Sequence, residues 1–202
     1  AGGTHRAVGF LSGALYYRRA GEGEEGSQWR PLKLPESAIP VVYDLRFSPD
    51  GSALLVRSGL EPQLVSYFNL EEDAAPELGP RWSYQPPVPS MSSEPLEALS
   101  SRRVAVQVSG SLHLLEAASG EPESIIEGAS LGAVALFEQP GVSFLILGRA
   151  ERARAELEII RQDGTKLHVI TGVPEDLELR RAGGTLILGR QDRIGVVEVG
   201  RL

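Results

Sequence analysis

Residues 43–58 read YDLRFSPDGSALLVRS, and this stretch decides the fold class. Each half is a short run of apolar and aromatic residues of the kind that forms a β-strand. Between the halves, Pro49 restricts φ, Asp50 can cap a turn, and Gly51 accepts a positive φ. The stretch therefore predicts two strands joined by a tight turn.

Similar short runs follow one another along the chain, separated by glycine, proline, aspartate and serine. Further turn signals are Ser12-Gly13, Ser109-Gly110 and Asp163-Gly164. Residues 150–161 contain good helix formers, but their apolar positions alternate, which indicates a strand. Only residues 92–101 are left as a candidate for one helical turn. The pattern predicts an all-β chain.

The strand-like runs also recur in groups. The most apolar run of each group begins near residues 6, 52, 103, 143 and 184. A repeat of about 40–50 residues with three or four strands is typical of β-propeller blades. The approximate units are 1–39, 40–84, 95–128, 131–172 and 174–202, with an irregular proline-rich loop over 81–95. The first unit reads as strands two to four of a blade, and the last as strands one to three.

Residues 43–58 resemble the core of a TolB-like or WD-repeat-like β-propeller blade, in which a strand ends in F-S-P-D-G and an apolar strand follows. Residues 158–172, EIIRQDGTKLHVITG, resemble such blades more weakly. The resemblance implies one β-propeller-like domain over residues 1–202. We expect about four to five blades of three to four antiparallel strands, either incomplete or part of a longer propeller.

Composition narrows the classes of function. Lysine and arginine number 20 against 27 acidic residues, giving a net charge of -7 and no basic stripe for nucleic acid. The chain has no cysteine, which excludes disulfides and cysteine-ligated metals. No apolar run reaches the roughly 18 residues of a membrane-spanning helix. The arginine-rich composition, the TolB-like resemblance and a first residue other than Met favour a bacterial periplasmic or cell-envelope protein with a removed leader or upstream region.

One motif suggests catalysis. Residues 128–132, GASLG, match the G-x-S-x-G nucleophile elbow of α/β-hydrolases and make Ser130 a candidate nucleophile. The only later histidine is His168, in a predicted outer strand, and no alternating strand-helix pattern surrounds the motif. We therefore expect no catalytic residue. A serine hydrolase using Ser130, a hydrolase-associated propeller and a small-ligand-binding propeller remain the alternatives.

The histidines and acidic clusters do not have the spacing of a metal site. His5, His113 and His168 fall in different units, without a His-x-x-x-His pair. The acidic loops lack the alternating oxygen ligands of a calcium loop. We expect no metal and no cofactor.

Two features indicate protein binding. The 81–95 segment combines aromatic residues, a methionine and stiff proline-rich backbone, a composition typical of interfaces. The loops between second and third strands are rich in arginine, Arg57 included, and in a propeller they reach the same face as the loops between blades. The sequence therefore predicts a non-catalytic interaction or scaffold module in a larger bacterial assembly, with other proteins as its partners. The candidate contact residues are Trp82, Tyr84, Met91, Arg149, Arg152, Arg190 and Arg193.

Overall fold

The described part of the chain forms five small antiparallel sheets. The computed structural model describes residues 5–19, 28–48, 50–71, 78–89, 96–98, 102–127, 131–139, 142–151, 154–161, 165–173, 178–182, 185–190 and 193–198. Within these ranges there are eighteen strands and no helix, so the all-β prediction is confirmed. Strand order within every sheet follows chain order, which makes each sheet a meander.

The first three sheets carry the following strands. Sheet 1 has three, β1 (His5–Gly9), β2 (Leu15–Arg19) and β3 (Arg30–Pro31). Sheet 2 has four, β4 (Val42–Phe47), β5 (Ala53–Ser58), β6 (Leu64–Asn69) and β7 (Trp82–Tyr84). Sheet 3 has four, β8 (Leu96–Ala98), β9 (Arg103–Val108), β10 (Ser111–Glu116) and β11 (Pro122–Ile126).

The last two sheets complete the described chain. Sheet 4 has four strands, β12 (Leu131–Gln139), β13 (Val142–Glu151), β14 (Arg154–Arg161) and β15 (Lys166–Val173). Sheet 5 has three strands, β16 (Glu178–Ala182), β17 (Thr185–Arg190) and β18 (Arg193–Glu198).

The turn between β4 and β5 forms as its sequence predicts. Gly51 has a φ of 78°, in the left-handed region that glycine enters without strain. Asp50 Oδ1 accepts hydrogen bonds from Ser48 Oγ at 2.6 Å and from the Ser52 backbone N–H at 3.0 Å. Burial alone would raise the pKa of the Asp50 carboxyl, but these hydrogen bonds outweigh it and hold the pKa below its usual value. Pro49 lies outside the described residues.

Two hydrophobic clusters hold the first three sheets together. The first seam, between sheets 1 and 2, consists of Leu15, Tyr17, Leu32, Leu54, Val56, Phe68 and Leu70. The second seam, between sheets 2 and 3, consists of Leu55, Val65, Val104, Val106, Val108, Leu115 and Ala117. Since successive residues of a strand point to opposite faces, β5 contributes to both seams and is buried along its whole length.

Contacts at the ends of β1 identify its place in sheet 1. The His5 ring stacks on Phe47, at the end of β4, with a centroid separation of 6.4 Å. At the other end, the Val42 N–H donates to Phe10 O at 3.3 Å. β1 therefore runs opposite to β4. Strands of a meander alternate in direction, and β4 is the first strand of sheet 2. Because β1 runs opposite to β4, it corresponds to the second strand of sheet 2.

Residues 92–101 contain a strand in place of the expected helical turn. Leu96 pairs with Val106 and Ala98 pairs with Val104, so β8 forms the first strand of sheet 3. Pairing with an already buried neighbour outweighs the weak local preference for helix, which made the prediction of a helical turn wrong.

Candidate protein-interaction surface

Three loops meet at one end of sheets 1 and 2, and we call this surface the loop face: residues 10–14, 36–41 and 59–63. Ser37 Oγ connects two of these loops, accepting from the Leu60 N–H at 3.3 Å and lying 3.2 Å from Pro62 O, to which it can donate. The Ala38 N–H also donates to Glu61 O at 3.0 Å. Hydrogen bonds therefore connect the 36–41 and 59–63 loops, and the 10–14 loop is closed by its own hydrogen bond from the Phe10 N–H to Ala14 O at 2.9 Å.

Glycines allow these loops to approach so closely. Gly13 has a φ of 84°, and a side chain there would lie 2.5 Å from Pro40 O. Gly59 has a φ of 73°, and a side chain there would lie 2.5 Å from Pro62 O. Both the backbone conformation and the space at these positions require glycine.

The loop face exposes large apolar side chains. Phe10, Leu11, Ile39 and Leu60 have exposed fractions from 37% to 81%. Val88 is 48% exposed and lies in the connection from β7 to sheet 3. Tyr84, at the end of β7, pairs with Val65, which is next to the 59–63 loop. The connection that carries Val88 therefore begins at the same end of sheet 2 as the loop face.

The turn after β4 in sheet 2 and the turn after β10 in sheet 3, both at the opposite end, are polar. The turn after β4 carries Ser48, Asp50 and Ser52, joined by hydrogen bonds, and the turn after β10 carries Ser119, which donates to Glu116 at 2.7 Å. Exposed apolar side chains grouped on neighbouring loops, as on the loop face, are characteristic of a binding surface.

Trp82, a predicted contact residue, joins sheets 2 and 3. Its Nε1–H donates to Ala117 O at 2.8 Å, and its ring stacks on Tyr67 with centroids 5.2 Å apart. Gly120 lies under the ring, where a side chain would come within 2.6 Å of it. Trp82 therefore has a packing role that its sequence position does not reveal.

Tyr84, on the same strand, also contacts sheet 3. Its hydroxyl lies 2.6 Å from His113 Nδ1. Burial lowers the pKa of His113, and the nearby Glu127 charge partly opposes that effect. Burial likewise raises the pKa of the Tyr84 phenol. When the imidazole is neutral with Nδ1 unprotonated, the Tyr84 hydroxyl donates a hydrogen bond to Nδ1, so the part-buried contact joins two uncharged groups.

Arg57 does not reach the loop face, so the prediction that it lies in an exposed loop was wrong. It is fully buried in β5, and its Nη2 donates to Gln107 O at 3.4 Å. Arg57 also interacts electrostatically with Asp44, whose pKa is raised by burial against the opposing charges of Arg46 and Arg57. The Gln107 carbonyl and the Asp44 charge offset part of the hydration that the guanidinium loses inside.

The remaining predicted contact residues are dispersed. Arg149 lies in β13 of sheet 4, while Arg190 and Arg193 form the pair that closes the β17–β18 hairpin of sheet 5. Met91, Arg152 and Ser130 lie outside the described residues.

The described histidines are also separate from one another. His5 is in sheet 1, His113 in sheet 3, and His168 on the exposed outer strand of sheet 4. Over the described ranges, no three His, Asp or Glu side chains are grouped as metal ligands would be. Nor do these ranges contain a helix of the length and hydropathy needed to cross a bilayer.

Sequence reasoning missed the apolar residues of the loop face. Phe10, Leu11, Ile39 and Leu60 are each preceded or followed within three residues by glycine, proline or serine. This combination of a large apolar residue with turn-forming neighbours was the available signal, because a turn exposes its side chains.

Comparisons with known structures agree with the sheet arrangement. BamB from Moraxella catarrhalis matches at 13% identity and a TM-score of 0.57, over 96% of this chain and 55% of that one. The computationally designed protein Ika8 matches at 14% identity and a TM-score of 0.61, with the same coverage. A putative 6-phosphogluconolactonase from Bacteroides fragilis matches at 16% identity and a TM-score of 0.60, over 98% of this chain and 64% of that one.

The fold is β-propeller-like, and the propeller-like resemblance of residues 43–58 is confirmed at the level of fold. No protein-family model and no curated protein sequence matches the chain. The chain spans between about half and two thirds of the length of the structures it matches: 55%, 55% and 64%.

Proposed function

We propose that this chain is a non-catalytic module that binds other proteins through the loop face. The observation that carries the proposal is the set of exposed apolar side chains Phe10, Leu11, Ile39 and Leu60 on neighbouring loops, two of which, 36–41 and 59–63, are hydrogen-bonded to each other. A partner covering them gains the hydrophobic free energy of burial. It loses little by ordering the loops, which are already fixed.

The proposal extends to the neighbouring sheets. Arg149, Arg190 and Arg193 lie near the ends of strands that lead into the loops between second and third strands. Arginine and aromatic residues commonly dominate binding energy at protein interfaces. We include Trp82, Tyr84, Met91 and Arg152 in the contact region on the same grounds.

We further propose that the module acts as a subunit or domain of a larger bacterial assembly in the cell envelope. The structural likeness to BamB and to designed and natural propellers is consistent with a rigid docking platform. The assignment rests on the exposed loop face and on the sequence resemblance to TolB-like repeats.

The test replaces Leu11 and Leu60 by aspartate in one variant. Leu11→Asp/Leu60→Asp is expected to fold, because both side chains are exposed, and to weaken partner binding at least about tenfold. The measurement is affinity capture from the native host with mass spectrometry, followed by a dissociation constant for each captured partner. Ile125→Asp, which changes an exposed apolar residue of β11, is the matched control.

Partners that bind the double variant as tightly as the parent chain would contradict the proposal. The serine-hydrolase alternative is tested separately, with a fluorophosphonate probe on the parent chain and on Ser130→Ala. Labelling that is present in the parent and lost in Ser130→Ala would favour a hydrolase. No labelling of the parent removes that alternative.

A further inference from the structure

The charge on the loop face has a single sign. Its three loops contain two charged residues, Glu36 and Glu61, and both are acidic and exposed. Ser37 follows Glu36 in the chain, and its Oγ lies 3.3 Å from the Leu60 nitrogen and 3.2 Å from Pro62 O. Because Leu60 and Pro62 flank Glu61, both glutamates lie at the junction of these two loops.

Neighbouring basic side chains do not neutralise these glutamates. Within the described part of the chain, neither Glu36 nor Glu61 forms an ion pair. Arg57, near the end of β5, is fully buried. Lys33 is exposed but follows β3 at the outer edge of sheet 1, before the chain enters the loop face. The charge that the loop face itself presents to a partner is therefore acidic.

The two glutamates stand among exposed apolar side chains. Ile39 is on the same loop as Glu36, and Leu60 directly precedes Glu61. A partner that buries these apolar groups also removes water from the neighbouring carboxylates, which costs free energy unless a cation replaces that water. The surface therefore favours a partner that supplies both apolar and basic side chains.

The backbone of the loop face is engaged in hydrogen bonds within the protein. The Ala38 N–H donates to Glu61 O at 3.0 Å, and the Gly59 N–H donates to Val41 O at 2.8 Å. The Val41 N–H donates in turn to Ile39 O at 3.0 Å. The surface therefore offers side chains and not the open edge of a strand. An α-helix satisfies its own backbone groups, whereas an extended segment would gain no main-chain pairing here.

We propose that the loop face binds a basic amphipathic α-helix of a partner protein. The apolar stripe of the helix covers the exposed apolar side chains of the loop face, and its lysine or arginine side chains lie against Glu36 and Glu61. The contact arginines proposed above lie on sheets 4 and 5 and are not part of this site. This inference rests on the proposed function, since it names the kind of partner that the loop face takes.

The test uses two capped synthetic peptides with the same composition of leucine, alanine and lysine. In the first peptide the leucines recur at spacings of three and four residues and so share one face of a helix. In the second peptide they are distributed around the helix. We expect the full chain to bind the first peptide at least about tenfold more tightly, by fluorescence anisotropy. Because the two peptides carry the same charge, this difference reports the apolar stripe.

A pair of glutamine variants tests the contribution of charge. Glu36→Gln/Glu61→Gln removes both carboxylates of the loop face and is expected to weaken binding of the first peptide about three- to tenfold, because exposed ion pairs contribute modestly. The matched control is Glu71→Gln/Glu121→Gln, which removes two exposed carboxylates after β6 and β10, at the opposite end of sheets 2 and 3. It changes the net charge by the same amount, and we expect it to leave the affinity unchanged.

The variant Leu11→Asp/Leu60→Asp separates apolar burial from electrostatic attraction. It adds negative charge to the loop face, so a basic peptide held by charge alone would bind this variant more tightly than the parent chain. We expect the first peptide to bind it at least about tenfold more weakly, because the apolar contact is lost.

Equal binding of the two peptides, equal affinities of the two glutamine variants, or tighter binding by Leu11→Asp/Leu60→Asp would overturn this inference. The proposed function survives each of these results if captured native partners still lose affinity for Leu11→Asp/Leu60→Asp, so the two failures are distinguishable. Sedimentation of the parent chain tests a second copy as the occupant. Concentration-dependent dimerisation that Leu11→Asp/Leu60→Asp abolishes would also overturn the inference.

Discussion

At the scale of single residues, the contact between Tyr84 and His113 shows how burial determines protonation. The 2.6 Å separation of Tyr84 Oη and His113 Nδ1 lies within a sheet-to-sheet contact. Burial lowers the pKa of His113, so neutral imidazole is the form that this contact stabilises. Protonation converts Nδ1 from acceptor to donor and places a charge in a partly buried site.

This contact makes stability depend on pH. The pKa of histidine in the unfolded chain is about 6.5, and the folded pKa of His113 is lower. The contribution of the Tyr84–His113 contact to stability is therefore complete above the unfolded pKa of His113. It is lost as the pH falls through that value toward the folded pKa. We expect the free energy of unfolding, measured with urea, to decrease over this acidic range.

The asparagine variants identify the histidine responsible. His113→Asn keeps an acceptor for the Tyr84 hydroxyl but does not titrate, so the acid-side decrease becomes smaller. His168→Asn, on the exposed strand β15, leaves the decrease unchanged. An equal pH dependence in the parent and in His113→Asn would exclude His113 as the cause.

At the scale of elements, the strands that carry the cores were predictable, whereas the short strands β7 and β8 were not. Strands β5, β9 and β10 are long apolar runs that are buried on both faces. Strands β3, β7 and β8 have two or three residues each, and they owe their conformation to the strand beside them. Local sequence carries little of that information.

The residues of the candidate site were also only partly predictable from the sequence. Composition alone marked Trp82 and Tyr84 as contact residues. Their partners Ala117 and His113 lie 35 and 29 residues further along the chain, so sequence could not reveal that they also join two sheets. The exposed loop residue Leu11 was missed, because an isolated apolar residue in a turn is also common at ordinary surfaces.

A glycine pair tests the contact between β7 and sheet 3. Gly120 and Gly110 have φ values of 77° and 84°, so alanine strains the backbone at both positions. Only at Gly120 does the new methyl group also meet the Trp82 ring. We expect Gly120→Ala to lower the free energy of unfolding by about 1–3 kcal/mol more than Gly110→Ala does.

Urea unfolding of the two variants measures this difference, and the near-ultraviolet spectrum of tryptophan reports any displacement of the ring. Equal destabilisation by the two substitutions would mean that Trp82 moves away from Gly120 without cost.

At the scale of the whole molecule, the first and second seams share strands β5 and β6 but no buried core side chain. Val56 belongs to the first seam and Val106 to the second, and both are fully buried. Replacing either valine by alanine removes two buried carbons and lowers the free energy of unfolding by about 1–3 kcal/mol. Since the two side chains have no common cluster, their effects should add to within about 0.5 kcal/mol.

The measurement is the free energy of unfolding of Val56→Ala, Val106→Ala and the double variant. A double-variant loss that departs from the sum by more than about 1 kcal/mol would show that β5 transmits strain from one seam to the other.

The uninterrupted meander within each sheet also bears on how such a chain can change over evolutionary time. Every sheet is encoded by one contiguous segment and packs chiefly on its immediate neighbours. Duplication or deletion of a gene segment of that length therefore adds or removes a whole sheet without breaking the hydrogen bonds between the strands of another sheet. The number of sheets can vary in this way while the chemistry displayed by each sheet diverges separately.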